Sequence, residues 1–269
     1  MNTASNHRKS LPLSLLACLV MAACSPKAPD AAPAAAVTPA AAAAPAEAAS
    51  QEEDVYALVT IPLGKKVPAD YPSQIASWKS AGQVEDVVLL EKLPKQLAET
   101  GAKSAGFESL AVVELTGEQE YAEWAAQAAA TLGPDAIVHR ADMLVHDEAN
   151  PRDAGKAYYA VNHYEALISL PEYKSYTQAY IVPNMGNQKD SGVMTSYTMF
   201  LERAGDDARS KAVLLKEYVD QAAFDRSEEI KEKHKPVLLA NPEWKRINDT
   251  KATLRTDLNE TLAKQVVLP

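Results

Sequence analysis

The chain is poor in cysteine and glycine, with 2 Cys and 10 Gly among 269 residues. This excludes a disulfide-built scaffold and a collagen-like repeat. Bases are also scarce relative to acids, 27 against 36, for a net charge of -9. A general nucleic-acid binder needs a basic face to replace phosphate counterions, so that class is excluded. Four catalytic signatures are missing: the phosphate loop, the Rossmann glycine fingerprint, the Gly-x-Ser-x-Gly elbow and the HExxH zinc motif. Each of those chemistries depends on a local geometry that leaves a trace in sequence. What is present is 47% hydrophobic and 23% charged residues, the composition of a soluble globular protein carrying one biased segment.

That segment lies at the start. His7, Arg8 and Lys9 precede an apolar run of 13 residues, Leu11 to Ala23. About 20 residues are needed to span a bilayer as a helix. A basic start, a short apolar stretch and small residues before a cut site describe a secretory signal peptide over residues 1–23. The cut site, Met21-Ala22-Ala23-Cys24-Ser25, resembles the lipobox of bacterial lipoproteins, with Met21 where Leu is usual. The resemblance implies cleavage before Cys24 and diacylglycerol on its thiol. It implies a membrane partner through the lipid and a place in the bacterial cell envelope. Ser25, where Asp would signal inner-membrane retention, implies the outer membrane facing the periplasm. Cys18 leaves with the signal, so the folded part keeps no thiol for nucleophilic, zinc or redox chemistry.

Residues 28–50 hold 14 Ala and 4 Pro. The prolines interrupt the alanines too often for a stable helix, so residues 24–50 read as a lipidated cysteine and tether. The folded part is expected over 51–269.

Along that part, Val55–Ile61, Val84–Leu90 and Leu110–Leu115 read as strands. Ser73–Ser80 and Lys95–Lys103 read as short helices. Thr116 with Gln119 fits a capping box, opening a helix that carries Tyr121, Trp124, Ala128 and Leu132 and stops at Gly133-Pro134. Ala136–His146 and Lys156–Leu167 read as strands around a short loop at Asn150-Pro151, hence an antiparallel hairpin. Ser169 with Glu172 makes a second capping box, for a helix expected to end near Pro183. Strands follow at Val193–Glu202 and Ser210–Val219. A helix is expected over Gln221–His234. Asn241 and Pro242 open a last helix whose stripe is Trp244, Ile247, Leu254, Leu258 and Leu262. The fold class is α+β with a largely antiparallel sheet and a long C-terminal helix.

The stretches "FESLAVVELTGEQEYAEWA" and "YYAVNHYEALISLPEYKSYTQAY" resemble the ferredoxin-like, dimeric α+β barrel group. Its members include the NIPSNAP, antibiotic-biosynthesis-monooxygenase and EthD types. The resemblance implies two tandem halves, about 53–150 and 155–269, fused as a pseudo-dimer. The group spans many activities, so it implies no one reaction.

Two candidate sites follow. In a hairpin centred on Pro151, His139 and His163 fall opposite each other, with Cβ atoms about 4.5–5.5 Å apart. Glu165 shares the face of His163, so the three can hold a divalent metal or act as an acid–base group; no other cofactor is expected. Tyr159, Tyr173, Tyr176, Tyr180 and Tyr197 suit a cavity for an amphipathic or aromatic ligand. Three readings stay open: an envelope lipoprotein binding a small molecule or envelope protein without catalysis, a small barrel enzyme, or an accessory assembly lipoprotein without a pocket.

Overall fold

A computed structural model describes residues 54–94, 106–149, 155–203 and 209–269. The expected signal peptide, Cys24, the expected tether and the helix expected over 95–103 lie outside the described residues. No described helix is long and apolar enough to cross a membrane.

Eight strands and six α-helices alternate along the chain. The first half comprises β1 (Val55–Pro62), α1 (Tyr71–Ser80), β2 (Asp86–Lys92), β3 (Phe107–Leu115), α2 (Glu118–Leu132) and β4 (Ile137–Glu148). The second begins with β5 (Tyr158–Ala166). It continues with α3 (Leu170–Tyr176), a π-helical stretch (Thr177–Ile181) and α4 (Val182–Asp190). Then come β6 (Met194–Glu202), β7 (Lys211–Tyr218), α5 (Gln221–Ala240), α6 (Pro242–Thr250) and β8 (Arg255–Gln265). The strands close into one barrel in the order β1-β3-β2-β8-β5-β7-β6-β4, with every pair antiparallel. Within each half the order is fourth-first-third-second, the ferredoxin-like arrangement. Two seams, β2–β8 and β4–β6, join the halves.

The order corrects one expectation. β4 and β5 flank the short connection but do not pair; β4 lies between β1 and β6, and β5 between β7 and β8. The connection joins the halves instead of closing a hairpin.

The chain's end corrects another. The expected long C-terminal helix stops at Thr250, and Arg255–Gln265 is a strand. The misleading residues are Leu254, Leu258 and Leu262. A spacing of four fits one helix face and also one strand face, because four is a multiple of two. Tertiary pairing decides: β8 has a hydrogen-bonded neighbour on each side, β5 and β2, and local preference yields to it.

Helix ends follow local chemistry with three exceptions. Ser169 N–H donates to Glu172 Oε2 at 2.9 Å, closing the capping box before α3. Asp220 accepts from Ala223 N–H at 2.7 Å. Asn241 accepts from Glu243 and Trp244 N–H at 3.0 and 3.2 Å. At α2, however, the cap position is Gly117, without a side-chain bond, because Thr116 turns away to Glu85. The helix through Tyr180 does not end near Pro183 either. The π stretch takes it into α4, where Pro183 occupies a first-turn position and needs no N–H partner. α5 likewise runs through Pro236 to Ala240, carrying Leu238 into the core.

Three apolar layers result. Leu58, Leu110, Val161, Phe200 and Val213 fill the barrel interior. Trp78, Trp124, Ile75 and Val113 pack the helices of the first half on its sheet. Tyr173, Tyr176, Tyr180, Trp244 and Met199 do so in the second half.

Candidate functional site

A cavity of about 390 Å³ opens in the second half between the outer sheet face and the helices. Its floor is Asn162 and Tyr164 of β5, Leu214 and Lys216 of β7 and Glu260 of β8, and its roof includes Tyr180 and Ile181 of the π stretch and Met185 of α4. π-helical turns occur often at functional sites, because the extra residue per turn displaces side chains from the regular stripe.

A bulge shapes the same wall. His163 pairs with Asn259 and Tyr164 with Asp257, leaving Leu258 unpaired. Alternation fixes which face each residue takes, so one extra residue inverts it. Even-numbered Glu260 and Leu262 take the outer face beyond the bulge. Odd-numbered Arg255 and Asp257 take it before the bulge, with Arg255 opposite Ala166. The bulge therefore delivers Arg255 to the cavity.

Arg255 is the most unusual group there. Its guanidinium carbon sits 3.7 Å from the Tyr164 ring centroid and 5.8 Å from that of Tyr176. Its side chain is only 11% exposed. Nε lies 3.2 Å from Asp257 Oδ1, an ion pair with a largely exposed carboxylate. Neither Nε nor Nη1 makes an aligned hydrogen bond, and the buried hydroxyls of Tyr173 and Tyr176 lack one too. Lys216, also buried, donates to Glu260 Oε2 at 3.0 Å, and Asn162 donates to the same oxygen at 2.9 Å.

Titration is pushed away from neutrality at several buried groups of this site. Burial raises the Tyr173, Tyr176 and Tyr180 hydroxyls above the ordinary tyrosine range. Burial depresses Lys216, but Tyr218 and Glu260 raise it more, so its net shift is upward. Burial raises Glu260, but Lys216 and Asn162 hold it below the usual carboxylate value. The cavity keeps fixed charges near pH 7 and lacks a group poised for proton transfer among these.

The predicted tyrosines separate. Tyr173 meets Tyr176 edge to face at 5.2 Å, Tyr176 stacks on Tyr180 at 5.5 Å, and Tyr180 stacks on Trp244 at 4.8 Å. Tyr180 lines the cavity, and the other two stand behind it beside Arg255. Tyr197 belongs to the same core but donates to Asp147 at 3.2 Å. Tyr159 points into the barrel and donates to Gln265 at 3.2 Å. Sequence reasoning missed Arg255 as a site residue because it placed that position inside the last helix, off its apolar stripe.

The histidines do not form a cross-strand pair. His139 lies opposite Leu58, and His163 opposite Val213 and Asn259. Leu58 and Val213 fill the interior, and cross-strand partners share a face. Both imidazoles therefore face inward, from strands separated by β6 and β7. Among the described residues no group of three His, Cys, Asp or Glu is arranged to hold a metal ion. Glu165 pairs with Arg209 at 3.5 Å instead. The partner of His139 is Glu202, across the β4–β6 seam at 4.0 Å. Burial lifts Glu202 to about 7, against the pull of Lys211. Burial and Lys211 lower both histidines, His163 to about 4.

No family model and no curated protein matches the chain. Among solved structures it is similar to an anthrone oxidase-like protein, with a TM-score of 0.53 and 7% identity over 81% of this chain and 93% of that one. It is similar to a monooxygenase-named protein of Fusobacterium nucleatum, with a TM-score of 0.45 and 11% identity over 81% and 94%. A heme-bound DypB variant of Rhodococcus jostii gives 0.44 and 11% over 78% and 92%. The residues here do not fit heme. The cavity lining includes no histidine or cysteine, the Met185 sulfur is buried against Gln188, and the Tyr180 hydroxyl is bonded to Asn248. What the likeness to the oxidase-like protein establishes is the fold, an α+β barrel of eight antiparallel strands with helices outside it.

Proposed function

We propose that this chain is a lipid-anchored envelope protein whose barrel domain binds a small amphipathic molecule without transforming it. The observation that carries the binding reading is the cavity beneath the π stretch, where Tyr164, Ile181, Met185 and Leu214 meet the largely buried cations Arg255 and Lys216. Concave sites in which apolar walls meet convergent polar groups are the usual form of small-molecule pockets. The noncatalytic reading rests on the pKa shifts away from neutrality at Lys216, Glu260 and the tyrosines. The anchor is supported by Met21-Ala22-Ala23-Cys24 and the Ala/Pro-rich tether, and Ser25 favours the outer membrane.

The cavity is tested by calorimetric titration of the Cys24→Ala protein with 1-naphthamide, a neutral bicyclic probe. Saturable binding is expected, and Leu214→Trp, which fills the floor, is expected to abolish it. Undiminished binding by the filled variant would place the site elsewhere. The anchor is tested in cells: Cys24→Ala is expected to leave the membrane fraction with its domain still folded, and firm attachment of that variant would refute lipidation as the anchor.

One observation favours a catalytic alternative. Glu202 and His139 lie 4.0 Å apart across the seam, and Glu202 titrates at about 7, where general acid–base groups work. Loss of a measurable turnover in Glu202→Gln would support it.

A further inference from the structure

We infer that the molecule bound in this cavity carries a carboxylate, docked on Arg255, with an apolar body against Ile181, Met185, Leu214 and Leu258. The inference rests on the cavity reading above and names the chemistry of its ligand.

The first argument is a mismatch of donors and acceptors. Arg255 is a donor-only group, and two of its nitrogens are buried without an aligned acceptor. The Tyr173 hydroxyl stands beside Arg255. The Tyr176 hydroxyl also lacks a partner. Leaving such groups unmet is costly in a buried site, about 1–3 kcal/mol each and more for a charged one. An acceptor entering the cavity can answer Arg255, which lines it, while Tyr173 and Tyr176 stand behind the lining. Of the carboxylates already present, Glu260 takes Lys216 and Asn162, and the largely exposed Asp257 reaches only Arg255 Nε, at 3.2 Å and without good alignment.

The second argument is charge. The lining carries four cations, Lys216, Lys231, Lys251 and Arg255, against two carboxylates, Asp257 and Glu260. That local excess of two positive charges sits in a chain of net charge -9. Lys216 is neutralised by Glu260, and Lys231 lies 2.8 Å from the exposed Glu228. Arg255 meets the largely exposed Asp257, and Lys251 shares the lining with it, so the two can receive an incoming anion together. Cations concentrated in a low-dielectric cleft focus the field on an incoming anion.

The third argument is shape. Stacking on Tyr164 fixes the plane of the guanidinium. A planar fork held edge-on matches a carboxylate with two parallel N–H···O bonds. The aliphatic side chains and Tyr180 then offer an apolar wall to the rest of the molecule. A free inorganic oxyanion would leave that wall without a partner.

The experiment compares 1-naphthoate with 1-naphthamide, which differ in charge and hardly in shape, by calorimetry at pH 7 on the Cys24→Ala chain. Naphthoate is expected to bind about ten-fold or more tightly than the amide. Arg255→Gln is expected to erase that preference while leaving the amide within about two-fold of its original affinity. If Arg255→Gln fails to fold by circular dichroism, Lys251→Gln, on a partly exposed residue, is expected to weaken naphthoate about three-fold and leave the amide unchanged. Equal affinity for both probes overturns the carboxylate and leaves the cavity reading intact. Binding of neither overturns both. Inorganic phosphate displacing naphthoate more effectively than acetate does would assign the site to a phosphate and overturn the carboxylate.

Discussion

The two halves repeat one strand order but fill the space between sheet and helices differently. In the first half Trp78 meets Trp124 edge to face at 5.1 Å, among Ile75, Val87, Leu89 and Val113. No charged residue is buried in that layer among the described residues. In the second half the equivalent layer holds a tyrosine ladder, buried Arg255 and Lys216, and the cavity. Its first crossover is longer, α3 continuing through the π stretch into α4, whereas α1 spans 10 residues. A fused pair can diverge in this way, one half filling this layer with tryptophans and aliphatic side chains and the other with tyrosines, Lys216 and Arg255. Two identical chains cannot.

The sharpest way to break the comparison is Trp124→Ala in the first half. It should destabilise the domain by about 3–5 kcal/mol in urea unfolding, since the dense layer there cannot collapse around the void. A loss below about 1 kcal/mol would mean that this half is not the densely packed one.

The second test addresses the interior that the halves share. His163 titrates at about 4, below its ordinary 6.5, because burial and Lys211 disfavour its charged form. Its contribution is complete above pH 6.5 and is lost as pH falls toward 4. Glu202 titrates at about 7, above its ordinary 4.5. Its contribution is complete below 4.5 and is lost as pH rises through 7. Each amounts to something on the order of 3 kcal/mol, and they oppose each other between pH 4.5 and 6.5. Thermal melting should therefore vary little across that window in the native chain. Glu202→Gln should melt lower on acidification, and His163→Leu should melt higher. Parallel slopes in the two variants would show that these groups do not control the interior.

Smaller effects sharpen the contrast in polarity. Tyr176→Phe removes a buried hydroxyl without a partner. It should raise unfolding free energy by about 1 kcal/mol. A loss of similar size would mean that the hydroxyl is satisfied. Smallest of all, Gly117→Asp would supply the missing cap of α2, where the backbone is already extended at φ -172. It should add a few tenths of a kcal/mol, read as a small shift of the denaturation midpoint.

Seven of the eight strands are legible in the sequence because β-branched runs such as Val55–Ile61 and Val193–Glu202 are bounded by turn residues. β8 is not, since Leu254, Leu258 and Leu262 satisfy either period and only its neighbours choose. Pairing is harder still. A short connection between β4 and β5 suggests a hairpin, yet β4 pairs with β1 of its own half and β6 of the other, and β5 with β7 and β8 of its own half. That is why His139 and His163 share the inward face without meeting. The tyrosine ladder is readable because 173, 176 and 180 follow helical spacing. Arg255 is hidden because its orientation depends on both the strand and a one-residue bulge.

The position of β8 has a consequence for how the chain acquires its shape. This strand comes last in the sequence, yet it fits between β5, about a hundred residues earlier, and β2, earlier still. Contacts of such separation form late, because a long loop must close before they yield any stabilisation. Until β8 arrives, β2 and β5 each present an open row of backbone donors and acceptors, the kind of edge on which other chains can add strands. Folding speed and the tendency to aggregate during folding should therefore both depend on how quickly the closing strand docks, and a truncation before Arg255 should give a sticky, incompletely closed sheet.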